Sequence, residues 1–354
     1  MVVRETDPFH HLGLNLQLQI FSNLSIDKEM GTASRVCKVW HKTLKNPELA
    51  RLQFEQMRQK KEIVFNAWKQ WHDCATNRFK SNYDLIENLK KCPFIETLDL
   101  SNSDADDVLI KKIGALSLPS LKVLLLKNCN RVVNPDFESF SNLVTLDLSN
   151  CRNLRQPKFS GLSKLSSMHL KNCTVFNFSF KELHSLKFLD LSENSFVDRD
   201  LNILVHDLTQ LETLILNTCK HLRQPDLRCL ISLKKLELCA CFKLVGCNLE
   251  NLFFLQNVLL SATIVTDDFV NSISQQNLPS LEDLTMSYCH QLERPIFKLS
   301  SLKTLELNCC AKLRIVDLEK SPSIEKVSLD LNAEEIITVF PTEYYRKQNG
   351  QDKG

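Results

Sequence analysis

A pattern of about 22 residues recurs along most of this chain, and it restricts the possible folds more than any other feature of the sequence. Each copy, here called a repeat, has an apolar residue at positions 1, 4 and 6 and a small polar residue or Cys at position 9. Eleven repeats follow one another at intervals of 21 to 26 residues. Repeats 1 to 11 begin at Ile95, Leu121, Leu143, Leu165, Leu186, Leu211, Leu233, Leu255, Leu281, Leu302 and Ile324.

Positions 4 and 6 are apolar in nearly every repeat, and position 5 between them is variable. This alternation has the period of two that predicts a short strand with one buried face. One such strand cannot bury its leucines alone, whereas strands stacked in parallel make a continuous core. The pattern resembles the leucine-rich repeat over roughly residues 85–340. The resemblance implies an α/β fold, a leucine-rich-repeat solenoid with a parallel concave sheet, which we assign to residues 93–340.

Side chains between the repeat leucines are expected to point to the concave face, where such a solenoid would bind a target protein. Apolar side chains in adjacent repeats, such as Phe188 and Ile215, can anchor a partner. Isolated apolar residues and charges are also common on surfaces that bind nothing. The predicted target-binding residues are His169, Phe188, Asp190, Ile215, Glu237, Leu259 and Tyr288.

Cysteine occupies position 9 in seven repeats, as Cys129, Cys151, Cys173, Cys219, Cys241, Cys289 and Cys310. The chain turns away from the strand here, and Cys suits the place as a small buried residue with a weak S–H donor. Neighbouring strands are ~4.8 Å apart with parallel Cβ vectors, which is poor disulfide geometry, so we expect reduced thiols. The chain has no C-x-x-C pair. We expect no metal site, no cofactor and no catalytic residue.

Three repeats are longer than the others, namely repeats 1, 5 and 8. After their strands come aspartates, which suit the N-terminus of a helix, and then apolar residues with helical spacing. About four extra residues amount to one helical turn, so we predict a helix in each long repeat. The return segments of several short repeats contain Pro, which excludes a regular helix interior. We expect those segments to be extended or to form single turns.

Residues 8–50 resemble the F-box, a short helical motif. Gly13 and Asn15 stand where that family usually has Pro and an acidic residue. The resemblance implies docking onto a Skp-type adaptor and, through it, association with a cullin–RING ubiquitin ligase. The alternative is that these helices only cap the end of the solenoid, which needs polar shielding. The residues that match the F-box and would bind the adaptor are Leu12, Leu16, Ile20, Phe21, Leu24, Val36, Cys37 and Trp40, with Ala33 as a further match.

The rest of the chain carries weaker signals. Residues 51–92 are expected to form a helical connector and N-terminal cap, and residues 341–354 a polar tail. With 44 basic and 42 acidic residues, no charge excess indicates nucleic acid or an anionic membrane as a partner. No stretch is apolar enough for a membrane span and no signal peptide is evident. We expect a cytoplasmic or nuclear location.

These features predict a substrate-recognition subunit of an SCF-type ubiquitin ligase. The F-box would dock the Skp-type adaptor, and the repeats would bind a target protein for ubiquitination. The alternative is a leucine-rich-repeat scaffold for protein–protein interaction that has no coupling to a ligase. Binding of the Skp-type adaptor distinguishes the two hypotheses.

Overall fold

The computed structural model describes residues 85–86, 89–90, 95–173, 178–329, 336–342 and 344. The F-box-like segment of residues 8–50 lies outside this range, as do all but four residues of the predicted connector and most of the predicted tail. The chain divides into two compact units, residues 1–99 with 118–121 and residues 100–117 with 122–354. The first unit contains strand β1, Thr97–Asp99, and the buried side chains of Leu85 and Leu89, both in helical backbone.

The second unit repeats one plan, in which a three-residue strand is followed by a turn and a return segment. Three return segments contain helices, as predicted for the long repeats: α1 Asp107–Gly114, α2 Asp198–Val205 and α3 Asp267–Ile273. The strands are β2 Val123–Leu125, β3 Thr145–Asp147, β4 Ser167–His169, β5 Phe188–Asp190, β6 Thr213–Ile215, β7 Lys235–Glu237, β8 Asn257–Leu259, β9 Asp283–Thr285, β10 Thr304–Glu306, β11 Ile315–Asp317, β12 Lys326–Ser328 and β13 Ile337–Val339.

Strands β2 to β10 and then β12 lie side by side in sequence order and run parallel. Position 4 pairs with position 4 of the next strand, as Leu124 does with Leu146 and Leu214 with Leu236. In β2 to β10, positions 4 and 6 are buried, whereas positions 3 and 5 keep partial exposure. The predicted alternation between a buried and an exposed strand face is therefore confirmed.

Backbone hydrogen bonds continue from repeat to repeat beyond the strands. The position 6 N–H donates to the position 5 carbonyl of the next repeat, as Leu148 does to His169 at 2.9 Å. The position 8 N–H donates to the next position 7 carbonyl, as Ala240 does to Ser261 at 2.8 Å. Position 8 is left-handed, with φ between 53° and 63° from Asn102 to Cys309. This conformation is unusual for residues other than Gly and Asn, and it turns the chain so that position 9 enters the core.

Each of the three helices begins with an aspartate that binds the next repeat. The Asp107 carboxylate accepts hydrogen bonds from the N–H groups of Val133 and Asn134, both at 2.9 Å. Asp198 and Asp267 each bind the two equivalent N–H groups of the repeat that follows them, at 2.8 to 3.1 Å. A long repeat is thus joined to the next short repeat by one carboxylate and two hydrogen bonds. These bonds give the recurring aspartates a structural role.

We expect Asp198→Ala to lower the free energy of unfolding by ~1–2 kcal/mol, because the N–H groups of Arg223 and Gln224 lose a charged acceptor. Water replaces part of the loss, since both bonds are exposed. The measurement is urea unfolding followed by circular dichroism. Arg199→Ala, an exposed change on the same helix, serves as the control and should stay within ~0.5 kcal/mol. Equal effects of the two changes would contradict the assigned role of the carboxylate.

The return segments of the described short repeats are extended or form turns, as their prolines indicate. The Pro135 carbonyl accepts a hydrogen bond from the Lys158 N–H at 2.8 Å, and the Pro225 carbonyl accepts one from Asn248 at 3.0 Å. Near the C-terminal end, β11 and β13 pair in parallel as a separate two-stranded sheet. Return segments thus add a second set of contacts between repeats, on the side away from the main sheet.

Candidate functional site: the open face of the sheet

Five of the predicted target-binding residues form one row across five consecutive strands. His169, Asp190, Ile215, Glu237 and Leu259 each occupy position 5 of strands β4 to β8, and each is directly paired with the next. All five are half-buried, with their exposed parts on the sheet face opposite the core. We call this the open face, meaning positions 3 and 5 of β4 to β8. The parallel register is what brings residues 20 or more positions apart into contact distance.

An aromatic pair stands at one end of the open face. Phe188, at position 3 of β5, lies against His169, at position 5 of β4, with ring centroids 4.9 Å apart and planes inclined by 39°. The Ser167 Oγ lies 3.3 Å from His169 Nε2. Packing and hydrogen bonding therefore orient both rings before any partner binds. The sequence placed both residues on this face, but their contact is diagonal and appears only with the register.

Acidic side chains of the row are held in place by neighbouring groups. Asp190 Oδ1 accepts a hydrogen bond from the Ser192 N–H at 2.9 Å. Glu237 pairs with Lys235 Nζ at 2.8 Å and accepts a hydrogen bond from Asn217 Nδ2 at 2.7 Å. Partial burial pushes the pKa of Glu237 upward, but Lys235 and Asn217 outweigh burial and hold the pKa below its usual value. Glu237 is therefore an anion at neutral pH.

The open face consequently alternates apolar and anionic groups along one row. Ile215 lies between Asp190 and Glu237, and Leu259 follows Glu237. A surface of this kind can bury apolar groups of a partner while carboxylates orient its basic groups.

Tyr288 is separate from this row. It occupies position 8 in the turn after β9, has a φ of 61° and is exposed. Its ring meets that of His290 edge to face, with centroids 6.4 Å apart. The structure thus brings together six of the seven predicted target-binding residues and places Tyr288 at the edge where the strands end.

Position 9 of the repeats forms a ladder of hydrogen bonds inside the core. Cys151 Sγ donates to the Leu126 carbonyl at 3.1 Å, and Cys173 Sγ donates to the Leu148 carbonyl at 3.0 Å. The same bond to position 6 of the preceding repeat recurs for the five other position 9 cysteines at 3.1 to 3.4 Å. Asn194 makes the bond at 2.8 Å through its amide. The ladder adds a hydrogen bond between adjacent repeats to carbonyls that also accept a bond within their own turn, as the Leu126 carbonyl does from the Cys129 N–H at 3.1 Å.

The position 9 thiols are structural rather than reactive groups. Burial raises the pKa of Cys173 to about 12 and that of Cys241 to about 11, from an ordinary value of 9.0. Burial likewise raises the pKa values of Cys151 and Cys219. The eleven cysteines that the structure describes are all free thiols. A thiol that stays protonated is a poor nucleophile and a poor metal ligand.

We expect the free energy of unfolding to fall as pH rises above about 9, because the unfolded chain releases thiol protons there while the folded chain retains them until about pH 12. The measurement is denaturant unfolding with a reductant between pH 8.5 and 10.5. Cys173→Ser keeps an O–H donor but removes one titrating thiol. The slope of stability against pH should therefore be shallower in this variant, by up to ~1.4 kcal/mol per pH unit. Identical slopes would contradict the assignment.

Two further properties of the described residues concern metal-binding clusters and helices that could span a membrane. Among them, no group of three or more His, Cys, Asp or Glu side chains is arranged to hold a metal ion. Within the same part of the chain, no helix combines the length and apolar character needed to cross a membrane.

No family model matches this sequence, and no curated protein matches it. Solved structures do match it in fold. The crystal structure of a TLR13–ssRNA13 complex is 18% identical with a TM-score of 0.50, over 74% of this chain and 48% of that chain. The functional domain of InlJ from Listeria monocytogenes, described as including a cysteine ladder, is 15% identical with a TM-score of 0.49, over 68% of this chain and 55% of that one. The leucine-rich-repeat domain of APL1B is 17% identical with a TM-score of 0.43, over 74% and 80%.

At this level of identity the likeness concerns the fold. This chain spans about half the length of the first two matches. The repeated sequence pattern and the parallel sheet with one strand per repeat define the fold. The chain has the fold of a leucine-rich-repeat solenoid.

Proposed function

We propose that this protein is a protein-binding scaffold that holds a target protein on the open face of its sheet. The observation that supports this most strongly is the row of half-exposed side chains in register on five consecutive strands. Phe188 and Ile215 are the apolar anchors of the open face, and Asp190 and Glu237 are their anionic neighbours. The partner that fits is a protein surface with exposed apolar groups beside Lys or Arg.

The open face is suited to binding because it is already ordered. Backbone hydrogen bonds join every pair of adjacent repeats from β2 onward, and the His169 and Phe188 rings are fixed against each other. Little side-chain freedom is lost when a partner docks on such a surface. Five strands at ~4.8 Å spacing span about 19 Å, which is a substantial part of a standard protein interface.

We expect Phe188→Ser combined with Ile215→Ser to weaken target capture by at least ~tenfold, since both anchors are lost. The measurement is quantitative affinity purification of the full chain followed by mass spectrometry, with melting temperatures measured on the purified variants. Phe254→Ser combined with Ile203→Ser removes two exposed apolar residues outside the open face and serves as the control. Equal recovery of every partner by both variants would contradict the proposal.

A more specific role is that of substrate receptor for an SCF-type ubiquitin ligase. The F-box-like spacing from Leu12 to Trp40 supports it. The motif would dock a Skp-type adaptor, and the solenoid would hold the target, so that a lysine of the target stays near the ubiquitin-charged enzyme of the cullin–RING complex. Rate enhancement then comes from raised effective concentration. This chain itself needs no catalytic residue, metal or cofactor, and neither nucleic acid nor membrane is a required partner.

The scaffold without ligase coupling is the other candidate. In that case residues 8–50 only shield the end of the solenoid. The two candidates share the open face and differ in the adaptor, so adaptor binding decides between them without affecting the target-binding proposal.

A further inference from the structure

We propose a second interaction surface at the edge where the strands end, which binds an acidic segment of a partner protein. We call it the carboxyl edge strip and define it by Lys220, Phe242, Lys243, Ile264 and Tyr288. It lies on repeats 6 to 9. Except for Tyr288, none of these residues was a predicted binding residue, and the strip shares no side chain with the row of the open face.

Three large apolar side chains of the strip are exposed in successive repeats. The exposed fractions are 59% for Phe242, 38% for Ile264 and 53% for Tyr288. Phe242 and Ile264 occupy position 10 and Tyr288 occupies position 8; at position 10 the short repeats otherwise carry polar or small residues, such as Asn130, Lys220 and Ala311. Exposed apolar side chains are unremarkable singly but indicate an interaction site when they are contiguous.

Backbone hydrogen bonds join the turns of the neighbouring repeats that carry these residues. Ala240, two residues before Phe242, donates to Ser261 at 2.8 Å, and the Ile264 N–H donates to the Leu244 carbonyl at 3.1 Å. Ala262 donates to Ser287, the residue before Tyr288, at 2.8 Å. Neighbouring repeats are ~4.8 Å apart, so the three apolar side chains lie on three consecutive repeats at the same edge of the sheet.

The same edge is rich in positive charge. In repeats 2 to 10, positions 10 and 11 include five Lys or Arg and two His, with no Asp or Glu among them. Lys220 and Lys243, which flank Phe242, are exposed and make no ion pair with any described residue. The nearby Asp267 carboxylate already accepts two backbone hydrogen bonds. The basic residues at positions 10 and 11 are Arg131, Arg152, Lys220, His221, Lys243, His290 and Lys312.

This combination selects a partner by charge. Apolar anchors beside two lysines that form no ion pair within the described part of the chain complement a peptide whose aliphatic or aromatic residues are flanked by Asp or Glu. A single-stranded nucleic acid fits less well, because successive bases stack on aromatic side chains. Ile264, in the repeat between those of Phe242 and Tyr288, offers no aromatic ring. The open face suits basic groups and the strip suits acidic ones, so the two surfaces would bind different partners.

The test is selection of random twelve-residue peptides displayed on phage against the immobilised full chain. We expect the selected peptides to be enriched in Asp and Glu around apolar residues. A synthetic selected peptide should lose at least ~tenfold in affinity for Phe242→Ser with Ile264→Ser, measured by fluorescence anisotropy. The Lys220→Glu, Lys243→Glu variant should no longer bind that peptide. It should instead bind a version of the peptide with Lys in place of its acidic residues. Ile203→Ser, on helix α2, is the matched control and should bind as the unchanged chain does.

Three results would overturn the proposal. They are selected peptides without acidic enrichment, unchanged affinity in the charge-reversed variant, and tighter binding of a twelve-nucleotide oligouridine than of the peptide at this strip. The strip variants leave Phe188 and Ile215 unchanged, so a negative result here does not affect the open-face proposal. All variants change only exposed side chains. Their melting temperatures show whether a loss of binding is due to a loss of folding.

Discussion

Leu148→Ala should lower the free energy of unfolding by ~2–5 kcal/mol, through lost burial and the cavity left behind. Leu148 occupies position 6 of repeat 3 and is fully buried. Its N–H donates to the His169 carbonyl at 2.9 Å, and its own carbonyl accepts the Cys173 thiol at 3.0 Å. Equivalent buried residues lie on either side, at Leu126 and Leu170. Denaturant unfolding followed by both circular dichroism and fluorescence measures the loss.

The matched control is a change on the opposite face of a strand. From the sequence alone, Ile215→Asp is expected to leave stability unchanged, because position 5 faces outward. The structure, however, places Ile215 directly between Asp190 and Glu237. A third carboxylate there would be destabilised by its neighbours. Ile215→Ser avoids this repulsion and should change stability by no more than ~0.5 kcal/mol. A large loss for Ile215→Ser with none for Leu148→Ala would mean that the two strand faces are inverted.

The second large effect concerns the adaptor. Ile20→Ala combined with Trp40→Ala should abolish binding to a purified Skp-type adaptor, because anchors of this kind contribute ~2 kcal/mol or more each. Together that is a loss of about a thousandfold in affinity, which isothermal titration calorimetry can detect. The solenoid should remain folded, since both residues lie outside the repeats.

The control for this experiment changes neighbouring residues that the F-box pattern does not use. Ser22→Ala combined with Lys38→Ala should leave adaptor affinity within a few-fold of the unchanged chain. Undiminished binding by a folded Ile20→Ala, Trp40→Ala variant would remove the ligase hypothesis. The scaffold without ligase coupling would then be the better account of the N-terminal segment.

Much of the fold follows from the sequence because one pattern fixes both the strands and their neighbours. Alternation at positions 4 to 6 predicted which face of each strand is buried, and Leu214 and Ile215 illustrate the two outcomes. Cysteine at position 9 predicted a buried donor, and the thiol bonds from Cys151 onward confirm that role. The helices of the long repeats were also predicted correctly, from their aspartates and apolar spacing.

Other features depend on contacts that local sequence does not encode. Position 8 is left-handed from Asn102 to Cys309. Asn, which tolerates this conformation, occupies it in repeats 1 to 4, but Thr218 and Tyr288 adopt it without such a preference. The partners of the Asp198 carboxylate lie 25 and 26 residues further along the chain. The carboxyl edge strip went unnoticed because its apolar residues are single in sequence and adjacent only after the repeats stack.

One purification tests whether the open face holds a target while the N-terminal segment holds the adaptor. The complex is purified through the Skp-type adaptor from cells that express the unchanged chain or the Phe188→Ser, Ile215→Ser variant. We expect the adaptor to retrieve both forms of the chain in equal amount, and to retrieve the target protein only with the unchanged form. Target recovery that is equal for the two forms would contradict the open face as the binding surface. Failure of the adaptor to retrieve the unchanged chain would contradict its role in a ligase.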